Sequence, residues 1–210
     1  MTAKLNLSEV EIQHYLAKLD LNIAPQGPLF PEGLVLHEGT PRLAAVLIPF
    51  LWREDGWHLL FTRRNAGLAE HSGQVAFPGG RMDPQDRTPE ETALREAHEE
   101  IGLNPADVRP LGRLRQFMTI TNYLVTPVVG VMPWPYPLQP SPDEVSRAFT
   151  IPLAWLADRS NCEKRIRTLP APFDSIPVIY YKPYDGEVLW GASAYITLNL
   201  LDTLQLNGNK

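Results

Sequence analysis

At 210 residues, with 44% hydrophobic and 20% charged side chains, the chain is long enough to bury a sizeable core. Its formal net charge of −5 argues against broad nucleic-acid binding, which draws on a basic excess, yet leaves room for an anionic small molecule held by a few arginines. The single cysteine, Cys162, excludes an internal disulfide and points to a reducing, cytoplasmic setting. Beside Asn161 and Glu163 it has no activating neighbour in sequence.

The first twenty residues lack the long apolar core and small-residue cleavage site of a secretory signal, and no stretch reaches the roughly 18 apolar residues of a membrane span. Instead, residues 7–20 read as an amphipathic helix: Ser8 and Glu11 form a capping box, and Ile12, Tyr15, Leu16 and Leu19 recur at helical spacing. A Pro- and Gly-rich loop is expected over 24–39. "RLAAVLIPFLW" and "WHLLFTRR" read as strands joined at Asp55-Gly56, a hairpin signal. "GQVAFPGG" reads as a third strand ended by Gly79-Gly80.

Residues 88–101 carry the clearest helix, with Thr88 as N-cap, Pro89 at the first helical position, Glu91 completing a capping box and Gly102 as C-terminal cap. "LGRLRQFMTI" and "YLVTPVVGVMP" follow as strands. The stretch "PWPYPLQPSP" holds five prolines in ten residues and reads as a stiff surface loop rather than a polyproline ligand. "SPDEVSRAFTIPLAWLAD" gives strand and short helix, and "WGASAYITLNLLDTLQL" a mostly buried helix. With no internal repeat and no flexible linker, one mixed α/β domain spanning 1–210 is expected.

The helix ending in "LREAHEEIG" is locally frustrated. Ala93, Leu94, Ala97 and Ile101 share one face, whereas Glu96, Glu99 and Glu100 crowd a neighbouring sector. Like charges at i+3 and i+4 repel by a few tenths of a kcal/mol per pair, roughly, and two of the three face the negative end of the helix dipole. A hard divalent cation, Mg²⁺ or Mn²⁺, would relieve the repulsion, since such ions take carboxylate and phosphate oxygens together. His98 lies on another side and reads as structural.

Gly80, Asp86 and the run Arg95-Glu96-Ala97-x-Glu99-Glu100-x-Gly102-Leu103 together resemble the Nudix box, over residues 79–103. Two departures stand in its first half: Asp86 occupies a Glu position, and eight rather than seven residues separate it from Arg95. The preceding "LLFTRRNAGLAEHSGQVAFPGG" resembles the extension of coenzyme A pyrophosphatases, with Thr62, Arg64, Gly73 and Phe77-Pro78-Gly79-Gly80 in place. Phe61, Asn65 and Ala69 depart from it. Ala69 replaces an expected Arg, a role that Arg63 or Arg81 would have to fill.

The resemblance implies an α/β (α+β) Nudix fold, with a mixed sheet sandwiched between helices. It also implies metal-assisted hydrolysis of coenzyme A, or an acyl derivative, at the pyrophosphate. Glu96, Glu99 and Glu100 would hold Mg²⁺ or Mn²⁺, with Arg95 orienting a carboxylate, its local candidate partner being Glu91. The general base would be Glu99, Glu100 or Glu144, the last of which otherwise reads as a charge at a helix start. Arg64, His71, Gly79, Gly80 and Arg81 are expected to meet substrate. The partners expected are a coenzyme A-like nucleotide diphosphate and a second copy in a homodimer, without nucleic acid or membrane. Another nucleoside diphosphate derivative, such as ADP-ribose or a dinucleotide, is the alternative. A non-catalytic binding module is disfavoured by the three retained carboxylates.

Overall fold

The computed structural model describes residues 7–23, 40–66, 73–168 and 175–206. In chain order the elements are α1 (Glu9–Ala17), β1 (Arg42–Arg53), β2 (Gly56–Arg64), β3 (Val75–Ala76), β4 (Gly79–Arg81), α2 (Pro89–Ile101), β5 (Arg109–Arg113), β6 (Phe117–Met118), β7 (Tyr123–Val131), β8 (Val145–Pro152), α3 (Leu153–Ala157), β9 (Cys162–Thr168), β10 (Ser175–Tyr181) and α4 (Gly191–Thr203). The strands β3-β2-β1-β7-β5 form the spine of a mixed sheet, with β4 on β1, β6 on β7 and β8 on β2. The β1–β7 pair is parallel and the others are antiparallel.

One edge of β1 serves two partners. Phe50–Arg53 pair with β2 across the expected hairpin, and Ala44–Val46 pair with β4. Strands β1 and β2 therefore part, and β3 and β4 fill the gap, β3 resting on Thr62 and Arg63. This insertion places Gly79-Gly80 in the sheet beneath α2.

Side-chain alternation sends each strand's apolar residues to both faces. Leu47, Leu51 and Leu60 join Ala93, Ala97 and Ile101 of α2 on one side. Ile48, Phe50, Leu59 and Phe61 join Ile12 and Leu16 of α1 and Ile196, Leu200 and Leu201 of α4 on the other. Each fully buried large apolar side chain contributes about 1.5–3 kcal/mol. A mixed sheet between helices is thus the architecture, as expected. Among the described residues no helix is long and apolar enough to cross a membrane.

Several expectations need correction. Helix α1 is shorter than residues 7–20, although its capping box is present. The strand expected over 73–80 breaks at Phe77-Pro78, where proline has no N–H to donate. The strand expected over 111–120 divides into β5 and β6, with a register shift between Pro110 and Gly112. The hairpin β9–β10, paired from Cys162↔Tyr181 to Thr168↔Ser175, escaped the sequence reading. Strand β9 is exposed nearly throughout, so no apolar alternation marks it. The loop expected over 24–39 lies outside the described residues, as do His71 and Ala69.

Candidate active site

Helix α2 starts as its sequence predicts. The Thr88 hydroxyl accepts from the Glu91 amide at 3.2 Å, and Pro89 follows. The Glu91 carboxylate does not return to Thr88; it accepts from the Arg87 amide at 2.5 Å. At the other end Gly102 is left-handed, with φ of 69°. The proline-rich stretch, free of helix and strand, then meets this terminus: the amides of Gln139 and Ser141 donate to the carbonyls of Ile101 and Glu100, each at 2.8 Å. Two of the carbonyls that a helix end leaves unpaired are satisfied in this way.

The three glutamates occupy different environments. Glu100 is buried, with 3% of its side chain exposed, and its Oε1 lies 3.4 Å from Arg64 Nη1. Its Oε2 and the Nε of Arg64 are buried without a hydrogen-bond partner. Burial pushes the Glu100 carboxyl up to about 8; Arg64 opposes this, while Glu96 and Glu144 add to it. Glu96 is 16% exposed and contacts Arg95 at 2.9 Å. Burial raises its pKa too, Arg95 opposes, and Glu99 and Glu144 reinforce. Glu99 is 54% exposed and paired with Arg95 at 3.0 Å. Among the described residues, no three acidic or histidine side chains converge into a ready-made cation cage.

Glycines set the approach of these groups. A Cβ on Gly80 would stand 2.5 Å from the Glu96 carboxyl carbon, so that side chain needs the space a glycine leaves. A Cβ on Gly79 would stand 2.4 Å from the Ala45 carbonyl oxygen, blocking the β4–β1 pairing. Arg81 contributes its carbonyl to Arg95 Nη2 at 3.0 Å, while its own side chain is exposed.

Arg95 does orient carboxylates, but its main partner is Asp86 rather than Glu91. Nε and Nη2 donate to the two Asp86 oxygens at 3.2 and 3.0 Å. Asp86, 7% exposed, also accepts from Thr92 Oγ1 at 3.0 Å and from the Asp83 amide at 2.9 Å. Hydrogen bonding by Arg95 holds the Asp86 carboxyl below its usual range despite desolvation. The extra loop residue is thus accommodated while Asp86 still reaches across nine positions to Arg95. The structural role of Asp86 was signalled only by its place in the motif.

Glu144 does not begin a helix; it immediately precedes β8. It is half-buried, and its charge acts on both Glu96 and Glu100. His98 is exposed, away from the acidic pair. Sequence reasoning missed Asn65 as a contact residue: its amide and side chain bind the segment carrying Glu144. It also missed Glu90, whose carboxylate takes both Nε and Nη2 of Arg113, tying α2 to β5.

The buried, unpartnered Glu100 oxygen and the glycine-made space at Glu96 are suited to a hard cation, while Arg64 supplies positive charge for an anion beside it. Cleavage of a phosphoric anhydride calls for that pairing of groups. In keeping with it, residues 41–170 match the family described as the NUDIX domain, and the chain belongs to the Nudix family of hydrolases.

Among its relatives are the proteins named "Uncharacterized Nudix hydrolase NudL" in Yersinia pestis (strain Pestoides F) and Yersinia pseudotuberculosis serotype O:3 (strain YPIII). Each is 35% identical over 205 residues, which cover 95% of this chain and 100% of the relative. The chain also resembles the MutT protein from Methanosarcina mazei Go1, with a TM-score of 0.51 and 18% identity over 82% of this chain and 99% of that one. A MutT/nudix family protein from Enterococcus faecalis gives a TM-score of 0.50 and 15% identity over 96% of this chain and 80% of that one. At such identities these two structures share the fold.

Proposed function

We propose that the chain hydrolyses the pyrophosphate of coenzyme A or an acyl-coenzyme A, giving adenosine 3′,5′-bisphosphate and 4′-phosphopantetheine or its acyl form. The reading is carried by the two described ends of the stretch 59–80, whose sequence resembles the coenzyme A pyrophosphatase extension. They deliver Arg64 from β2 and Gly79-Gly80 from β4 to the acidic side of α2. Glu96, Glu99 and Glu100 would hold Mg²⁺ or Mn²⁺. Such an ion supplies charge neutralisation at the diphosphate and acidifies a bound water.

The chain's own groups divide the remaining work. Arg64 offers its free Nε to a phosphate oxygen. Arg95, clamped by Asp86, holds Glu96 and Glu99 in place. Glu144, Glu99 or Glu100 takes the proton of the attacking water. Arg81 and His71 face the substrate in this reading, and the protein works in the cytoplasm as one domain over 1–210 and as a homodimer. The apolar cluster joining α1, the sheet and α4 supports the single domain.

Ala69 in place of an expected Arg favours a second reading, a different nucleoside diphosphate derivative such as ADP-ribose or a dinucleotide. The test is a panel of coenzyme A, acetyl-coenzyme A, ADP-ribose, NADH and diadenosine tetraphosphate with Mg²⁺ or Mn²⁺. Turnover of coenzyme A to the two named products is expected; turnover of ADP-ribose with coenzyme A untouched would overturn the substrate assignment.

A further inference from the structure

We propose that Asn65 is a positioning residue that fixes the Glu144 segment against the C-terminal end of α2. The resembled extension has Ser or Ala at this position, neither of which carries an amide Nδ2. The inference rests on the reading above that Glu144 serves the hydrolysis.

The clamp has two jaws. Just past the end of β2, the Asn65 amide donates to the Glu144 carbonyl at 2.8 Å, and Asn65 Nδ2 donates to the Pro142 carbonyl at 2.7 Å. From α2, the Glu100 carbonyl accepts the Ser141 amide at 2.8 Å. Between the jaws the backbone turns on itself, with the amides of Glu144 and Val145 both donating to the Ser141 carbonyl at 3.1 and 2.8 Å. Val145 then enters the apolar cluster that holds Ala97 and Ile101.

A β-bulge makes this geometry available. Arg63 pairs with Arg147, but Arg64 pairs with Val145, leaving Ser146 as the extra residue. The Ser146 hydroxyl donates to the Arg63 carbonyl at 3.1 Å. Bulges re-aim side chains at the ends of paired strands. This one brings Asn65 level with Glu144 while Arg64 reaches Glu100. Substitution at Asn65 removes the hydrogen bond from its Nδ2 to the Pro142 carbonyl while Arg64 and Glu144 are retained.

Two measurements on the full chain test the proposal. Hydrogen exchange is read at the Ser141 and Val145 amides in Asn65→Ala and in Asn65→Asp, which keeps the volume but has no donor. Exchange there is expected to quicken by about tenfold while the Ala97 and Val128 amides are unchanged; protection equal to the parent's in both variants overturns the clamp. Turnover of coenzyme A, or of ADP-ribose should coenzyme A be inert, is then compared for Asn65→Ala, Glu144→Gln and the double variant. Losing a hydrogen-bonded group that orients a functional side chain lowers activity by about 10–100-fold, and here the loss is expected in kcat with KM little changed. The double variant is expected to be no slower than Glu144→Gln alone, because coupled residues are not additive. Losses that multiply would show that Asn65 does not act through Glu144. An unimpaired Glu144→Gln would overturn that residue's role, and with it the positioning role of Asn65, while the exchange data judge the clamp separately. Inert coenzyme A would count against the substrate assignment alone.

Discussion

Glu100→Gln probes the active site without presupposing a substrate. Burial raises the carboxyl from its ordinary 4.5 to about 8 in the folded chain. Between those values the unfolded chain has released its proton and the folded chain has kept it. The stability contributed by the protonated group is therefore whole below pH 4.5 and is lost as the pH rises through 8. At about 1.4 kcal/mol per tenfold, the interval corresponds to roughly 4–5 kcal/mol, an upper bound. Glutamine keeps the shape and carries no charge, and Arg64 remains 28% exposed, so its guanidinium keeps access to water. Urea denaturation in EDTA should show the two proteins within about 1 kcal/mol of each other at pH 5, with the variant more stable by roughly 2–4 kcal/mol at pH 9. Excess Mg²⁺ should reverse the order at pH 9, because binding to the folded state stabilises it by mass action. Turnover should be lost throughout. A variant no more stable than its parent at pH 9 in EDTA would refute the claim that the burial of Glu100 outweighs its pairing with Arg64.

Gly80→Ala should fold with a stability loss under about 1 kcal/mol, since the clash is with a side-chain tip, yet displacing Glu96 by about 1 Å should slow turnover by about 100-fold; urea denaturation and steady-state kinetics read the two effects, and unchanged turnover would count against the role of Glu96. Asp86→Asn should cost about 1–3 kcal/mol at pH 7 by weakening a buried charge-assisted pair. The Asp86 pKa is lowered on folding, so that stability is present above its ordinary 3.8 and disappears as the pH falls through the lower folded value. The difference between Asp86→Asn and parent should accordingly narrow below pH 3.8 in an acid titration followed by circular dichroism. Arg113→Ala should destabilise the protein by about 1–2 kcal/mol through loss of the paired contact to Glu90, leaving kcat within about twofold, as thermal unfolding and kinetics would report.

Local rules made much of this molecule legible. The Thr88 cap, Pro89 and Gly102 delimit α2 because helix ends leave donors and acceptors that only certain residues satisfy. Asp55-Gly56 marks the first hairpin for a similarly local reason, with Gly56 at a φ of 114°. Where the periodic signal was weak, boundaries slipped: the exposed, basic β9 shows no apolar alternation, and Phe77-Pro78 interrupts a run that reads as one strand.

From sequence alone came the helix, its crowded acids and their resemblance to a family motif, all of which depend on spacing within a single element. Which acid lies buried, which stays in solvent and which pairs with arginine was decided by packing. Glu96, Glu99 and Glu100 share one sector of the helix, but β2 and β4 cover only part of it, leaving their side chains 16%, 54% and 3% exposed. The partners that settle their charge, Arg64, Asp86 and Glu144, arrive from a strand, a loop and a turn. Desolvation and Coulomb energy depend on distances through space, and spacing along the chain does not encode them.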